Sequence, residues 1–99
     1  MEFIILAKDG TDAEAPARRL AARPMHLEAL KKFKDSGNVL YAGALLGEGG
    51  AMIGSGVIVS FESEEIMRKE WLEKEPYYLN NVWQDVTVLP YASAAMFRE

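Results

Sequence analysis

The sequence contains no cysteine and a single histidine, His26. Without thiols the chain has no disulfides, no thiolate metal ligands and no cysteine nucleophile, and it fits a reducing compartment. One histidine is a poor basis for a metal site, because such sites usually need three or more protein ligands. We therefore expect neither a metal ion nor another cofactor.

The sequence also lacks long apolar runs and an excess of positive charge. No stretch approaches the roughly 20 apolar residues that a membrane span requires, and no basic segment followed by an apolar run marks the N-terminus. The net charge of −4 disfavours nucleic-acid binding, because neutralising phosphates requires clustered basic residues in excess. We expect a cytoplasmic protein that binds neither membranes nor nucleic acids.

The composition that remains is that of an ordinary globular domain. The chain has 99 residues, of which 49% are hydrophobic and 26% charged. This length is enough for one hydrophobic core and too short for two. We therefore predict a single domain spanning residues 1–99.

Four β-rich runs predict strands. Two of them, residues 39–46 and 55–61, are separated by a short glycine-rich loop, which predicts an antiparallel hairpin. The four predicted strands are residues 2–8, 39–46, 55–61 and 82–89.

The first helix is predicted between the first two strands. Residues 11–22 are interrupted by Pro16 and predict an irregular approach with some helical turns. The firm helix is predicted from Pro24, because proline is tolerated in the first turn, and it ends before Gly37. One apolar stripe runs along it. It consists of Leu27, Leu30 and Phe33.

The second helix is predicted after the hairpin. Ser63 is a suitable N-cap, and the spacing of Met67 and Trp71 marks the buried side. Pro76 is expected to break this helix, and Pro90 is expected to end the last strand.

The order βαββαβ predicts an α+β fold of ferredoxin-like type, with a four-stranded antiparallel sheet and two helices on one face. The first strand is apolar on both sides, with Phe3 and Ile5 on one and Ile4 and Leu6 on the other. Two helices cannot cover both faces, and the uncovered face would be an unusually large apolar patch for a monomer. We therefore expect a homodimer, paired face to face, with further assembly left open.

His26 and Glu75 are the candidates for proton transfer. His26 shares the apolar stripe of its helix, so its imidazole needs a hydrogen-bond partner; it could be a structural histidine that bonds to the backbone. Glu75, just before Pro76, could be a solvated acid at a helix end. Should the two meet, the carboxylate would orient the ring and favour its protonated form, which suits general acid–base catalysis.

Three further motifs have weaker signals. Ser55 lies in Gly-Ser-Gly, which lacks the nucleophile-elbow pattern, and more plausibly opens a strand or donates one hydrogen bond to a ligand. Tyr77 could line a pocket, although aromatic residues at such spacings are more often core or interface. Arg23 belongs to a basic group that also includes Arg18 and Arg19 and that is typical of the solvated side of a helix.

A set of short motifs occurs in one order along the chain. They are Arg23-Pro24-x-His26-Leu27, Gly37, Leu40-x-Ala42-Gly43, Gly54-Ser55, Phe61-Glu62-Ser63 and Pro76-Tyr77 before Val82. In this order and spacing the sequence resembles the YciI-like, or YCII-related, family. The resemblance implies a dimeric α+β barrel.

The resemblance also implies a small enzyme with a His-Asp pair in a pocket, and dehydrochlorination, elimination or isomerisation of small cyclic compounds. His26 occupies the family's histidine position, whereas Glu75 stands where the family has the Asp of Asp-Pro-Tyr. The added methylene could change the reach or angle of the carboxylate. On this basis His26 and Glu75 are the predicted catalytic residues, and Arg23, Ser55 and Tyr77 are predicted to bind substrate.

The sequence leaves two alternatives to a lyase or isomerase. One is a non-catalytic ligand-binding or assembly module that kept the pocket. The other is haem binding through His26, because relatives in the wider barrel group bind haem.

Overall fold

In a computed structural model, which describes residues 1–98, the elements follow the predicted order βαββαβ, with one additional short helix before the last strand. The four strands are β1 (Glu2–Asp9), β2 (Val39–Leu46), β3 (Met52–Ser60) and β4 (Trp83–Tyr91). The three helices are α1 (Ala15–Asp35), α2 (Glu64–Glu70) and α3 (Pro76–Leu79). Short 3₁₀ turns occupy Glu48–Gly50, Leu72–Lys74 and Ala95–Phe97.

The strands form one antiparallel sheet in the order β2-β3-β1-β4. This order is that of a ferredoxin-like fold, which confirms the predicted fold class. Phe3 and Ile5 of β1 lie opposite Val59 and Val57 of β3, and all four are at most 1% exposed. Helical residues, including Met67, complete the same core. The helices therefore pack on one face of the sheet.

The first helix is longer than the sequence predicts. It begins at Ala15, so the predicted start at Pro24 is wrong. Pro16 fits the first turn, where a backbone N–H is not needed. Pro24 lies inside the helix, where proline removes one hydrogen bond. The buried side chains along this face, among them Arg19 and Ala22, show that tertiary packing outweighs this loss.

The predicted end of α1 is confirmed. Gly37 has a φ of 85°, a left-handed conformation that favours glycine. Its N–H donates to the carbonyl of Lys34, and the N–H of Asn38 donates to that of Phe33. This pair of bonds is a Schellman motif, which satisfies the last helical carbonyls and turns the chain into β2.

The second half of the chain contains one confirmed cap and two prolines with unexpected roles. The Ser63 hydroxyl accepts a hydrogen bond from the N–H of Ile66 at 3.1 Å, as predicted for an N-cap. Pro76 does not break α2, which already ends at Glu70; instead it begins α3. Pro90 lies within β4, so the expected strand end is wrong; β4 is an edge strand, where proline is tolerated.

The opposite face of the sheet is apolar and largely uncovered. Leu6 is 39% exposed, Leu89 is 43% exposed and Tyr41 is 78% exposed. No helix within residues 1–98 is long and apolar enough to cross a membrane.

Two glycines of the β2–β3 hairpin provide a test of the packing. A Cβ at Gly54 would lie 2.4 Å from the backbone oxygen of Ala7, whereas a Cβ at Gly43 would meet nothing within 4 Å. We expect Gly54→Ala to lower the free energy of unfolding by about 1–3 kcal/mol, because β1 and β3 must separate. Gly43→Ala should change it by less than about 0.5 kcal/mol. Urea denaturation measures both, and equal stabilities would contradict the close approach.

Candidate active site

His26 and Glu75 are in direct contact although 49 residues separate them in the sequence. The His26 Nδ1 atom lies 2.7 Å from the Glu75 Oε1 atom, and the two residues are 6% and 1% exposed. His26 comes from the buried side of α1, and Glu75 comes from the N-terminus of α3. The fold therefore brings together the two residues that the sequence nominates for proton transfer.

Glu75 is fixed by its second role as the N-cap of α3. Its Oε1 atom also accepts a hydrogen bond from the N–H of Tyr77 at 2.8 Å, and Pro76 starts the helix directly after it. The other oxygen, Oε2, is buried and has no hydrogen-bond partner within residues 1–98. Glu75 is therefore a buried carboxylate with a fixed orientation and not a solvated acid.

Aromatic rings fix the imidazole of His26. Its ring stacks on that of Tyr77, with centroids 3.7 Å apart and planes 10° from parallel. The ring of Trp83 meets it edge-on at 6.0 Å. Burial raises the pKa of the Tyr77 phenol, so this ring stays neutral at ordinary pH. Because Nδ1 faces Glu75, the other nitrogen, Nε2, is the one left for a ligand.

A small cavity of about 180 Å³ lies beside this ring, between α1 and the β2–β3 hairpin. A cavity of about 150 Å³ accepts one benzene molecule, so the volume suits a single-ring compound. It is far from the size of a porphyrin, which disfavours haem. The lining residues include four of the five predicted site residues, namely Arg23, His26, Ser55 and Tyr77.

Ser55 is placed at this cavity by two donors. Its Oγ atom accepts a hydrogen bond from Trp83 Nε1 at 3.0 Å and a longer one from Arg19 Nη2 at 3.4 Å. Ser55 is 2% exposed. Since its oxygen already accepts two bonds, its own hydroxyl proton remains free to be donated.

Arg19 and Asp9 form a second buried pair that sequence reasoning missed. Arg19 Nη1 donates to both carboxylate oxygens of Asp9, at 3.1 and 2.9 Å. The guanidinium carbon lies 4.9 Å from the centroid of the Tyr77 ring. Helical spacing could have found Arg19, because positions 19 and 26 share one face of a continuous helix. The helix start predicted at Pro24, nine residues after the observed start at Ala15, left Arg19 outside the helix and hid this relation.

The remaining site predictions concern charge and metals. Arg23 is exposed, as a solvated helix side predicts, but it also lines the cavity, whereas Arg19 of the same basic group is buried. Among residues 1–98, no cluster of His, Cys, Asp or Glu could hold a metal ion.

The sequence is similar to proteins of one family over nearly its whole length. The model of the YCII-related domain matches residues 1–92. Protein YciI from Escherichia coli O6:H1 is 35% identical over 97 residues, covering 92% of this chain and 96% of that protein. Protein YciI from Shigella flexneri matches with the same identity and coverage.

One solved structure has the same fold. It is the 5-chloro-2-hydroxyhydroquinone dehydrochlorinase from Burkholderia phenoliruptrix in complex with 2,5-dihydroxybenzoquinone. The TM-score is 0.82 at 23% sequence identity, and the match covers 97% of this chain and 98% of that one. The four-stranded sheet with its helices on one face is thus shared with a known enzyme.

The Arg19–Asp9 pair predicts a stability effect. Asp9→Asn leaves the Arg19 charge buried without its partner, and we expect the free energy of unfolding to fall by about 3 kcal/mol. Asp12→Asn is the matched control, because the Arg18–Asp12 pair is solvent-accessible, with side chains 28% and 50% exposed. Asp12→Asn should change the free energy of unfolding only slightly. Urea denaturation compares the two variants, and equal losses would show that burial of the Arg19–Asp9 pair is unimportant.

Proposed function

Because the chain belongs to the YCII-related family, we propose that it is a lyase or isomerase that acts on a small single-ring compound through proton transfer by His26. The observation that carries this proposal is the His26–Glu75 contact of 2.7 Å beside a cavity of single-ring size. The imidazole has one nitrogen held by a carboxylate and the other free for substrate, which is the arrangement of a general base.

In the proposed step, His26 Nε2 takes a proton from a ring carbon next to a carbonyl or hydroxyl group. For an elimination, the electron pair of the broken C–H bond forms a double bond, and the leaving group departs as an anion with its own electron pair. For an isomerisation, His26 returns the proton at another atom. Glu75 stabilises the imidazolium that forms in either case.

Glu75 is proposed as a positioning residue in place of the Asp that the family resemblance implies. Its extra methylene does not prevent the contact, because the Oε1 atom reaches Nδ1 at an ordinary hydrogen-bond distance of 2.7 Å. The bond from the Tyr77 N–H keeps the carboxylate in this orientation. The longer side chain is thus compatible with the proposed role.

Ser55, Tyr77 and Arg23 are the proposed substrate contacts. The hydroxyl of Ser55 is available as a donor, and the Tyr77 ring forms one wall of the cavity. The dehydrochlorinase of the same fold supports the reaction class, since it acts on a chlorinated hydroxylated ring and holds a dihydroxybenzoquinone.

Replacement of His26 tests the proposal. Wild-type protein is incubated with a panel of hydroxylated and chlorinated single-ring compounds, including 5-chloro-2-hydroxyhydroquinone, and chloride release and ring absorbance are followed. We expect His26→Ala to lower kcat by about 10²–10⁴-fold, because the proton acceptor is lost. Circular dichroism checks the fold, and Glu28→Gln on the exposed side of α1 is the matched control.

Replacement of Glu75 separates orientation from binding. Glu75→Gln should lower kcat while KM changes little, because the amide cannot stabilise the imidazolium but still fills the space.

Activity that survives His26→Ala would contradict the mechanism. If the wild type turns over no compound of the panel but binds some of them, the non-catalytic ligand-binding module replaces the enzyme as the function.

We further propose that the chain forms a homodimer through the uncovered face of the sheet. This face carries Leu6, Tyr41 and Leu89, each at least 39% exposed. Contiguous apolar surface of this kind is uncommon on monomers, and a two-fold pairing of sheets would bury it on both copies.

Light scattering during gel filtration tests the dimer. Wild type should elute with twice the mass of the chain, and Leu6→Glu should elute as a monomer, because a charge buried without a partner disfavours the interface. Leu20→Glu is the control, because Leu20 is 72% exposed on α1 and lies away from the sheet face. A dimer that persists in Leu6→Glu would place the interface elsewhere.

A further inference from the structure

The side chains around the cavity carry positive charge. Arg19 and Arg23 line it, and His26 adds a charge whenever it is protonated. Within residues 1–98 no carboxylate is among the lining residues. The side chains of Asp9 and Glu75 contact Arg19 and His26 but are only 6% and 0% exposed. Each of these acids therefore neutralises the charge of its own partner without itself facing the cavity.

Arg23 is the lining cation whose charge is not balanced. In the part of the chain that the structure describes, it forms no ion pair, and its one side-chain hydrogen bond runs from Nη1 to the Met52 sulfur, at 3.8 Å. A thioether is a weak acceptor. The guanidinium of Arg23 thus keeps both its charge and most of its donors for a ligand.

Arg19 lines the same cavity as Arg23 and also has a hydrogen-bond donor without a partner. The residue is 8% exposed, and its Nη1 and Nη2 atoms donate to Asp9 and Ser55. Its Nε atom is buried and has no hydrogen-bond partner within residues 1–98. Buried donors are nearly always paired, so Arg19 adds an incompletely compensated positive group next to Arg23 at the cavity wall.

The local charge is opposite to that of the whole protein. The net charge of the chain is −4, so its overall field repels anions. An anionic ligand would be selected only by the groups at the cavity itself.

We propose that the ligand of this cavity is a single-ring organic anion, with a carboxylate or phenolate oxygen paired with Arg23. The proposal rests on the function proposed above in placing a ligand next to His26, and it adds the charge of that ligand. The ring fills the apolar part of the cavity beside Leu27 and Leu30, and the anionic oxygen accepts from the guanidinium.

Binding of two probes of equal shape tests the charge. Benzoate and benzamide differ in charge and little in size, and isothermal titration calorimetry or NMR titration measures the Kd of each at low salt. We expect wild-type protein to bind benzoate at least about tenfold more tightly than benzamide. The preference should shrink as ionic strength rises, because Arg23 is exposed.

Variants of Arg23 assign the preference to this residue. Arg23→Gln should remove the preference for benzoate, and Arg23→Lys should keep part of it, because a lysine retains the charge but not the planar fork. Arg68→Gln is the matched control: Arg68 pairs with Glu64 on α2 and does not line the cavity. It should bind benzoate as the wild type does.

Three results would overturn the inference: equal affinities of the wild type for the two probes, no binding of either, or a benzoate preference that survives Arg23→Gln. None of these depends on turnover. A protein that prefers benzoate but converts no substrate would count against the proposed function alone, whereas turnover of neutral rings with equal probe affinities would count against the anion site alone.

Discussion

One carboxylate oxygen connects α1, in the first half of the chain, to α3, in the second half. Glu75 Oε1 accepts from His26 on α1 and from the backbone of Tyr77 on α3, at 2.7 and 2.8 Å. The Tyr77 ring then stacks on the imidazole and lies under the Arg19 guanidinium. A helix cap, a histidine partner and an aromatic wall thus depend on the same atom. Because Glu75 is almost fully buried, a wrong orientation could not be compensated by water.

Local signals were sufficient for much of the fold. β2 was predicted with its observed bounds, and Gly37 and Ser63 mark the ends of helices as expected. Each of these signals acts over a few residues: strand propensity, a left-handed φ, or one side-chain cap. The contact between His26 and Glu75 is only a hypothesis at the level of the sequence, because the sequence identifies both residues but not the distance between them.

Two of the misjudged element bounds involve proline in a tertiary context. Pro24 lies inside α1 because buried neighbours such as Arg19 and Ala22 hold the helix together, and Pro90 lies in β4 because that strand is at an edge. Neither burial nor strand order can be read from neighbouring residues. The same limit hid the Arg19–Asp9 pair, since a buried ion pair depends on which helix face meets which strand end.

The cavity draws its walls from α1, from the β2–β3 hairpin and from the start of α3. The lining residues extend from Arg19 to Tyr77, so the cavity forms only when elements distant in the sequence have packed together. Ligand affinity and global folding are therefore thermodynamically linked. At a concentration 100 times its Kd, a ligand would stabilise the native state by about 2.7 kcal/mol. The same ligand would slow the separation of α1, the β2–β3 hairpin and α3 from one another.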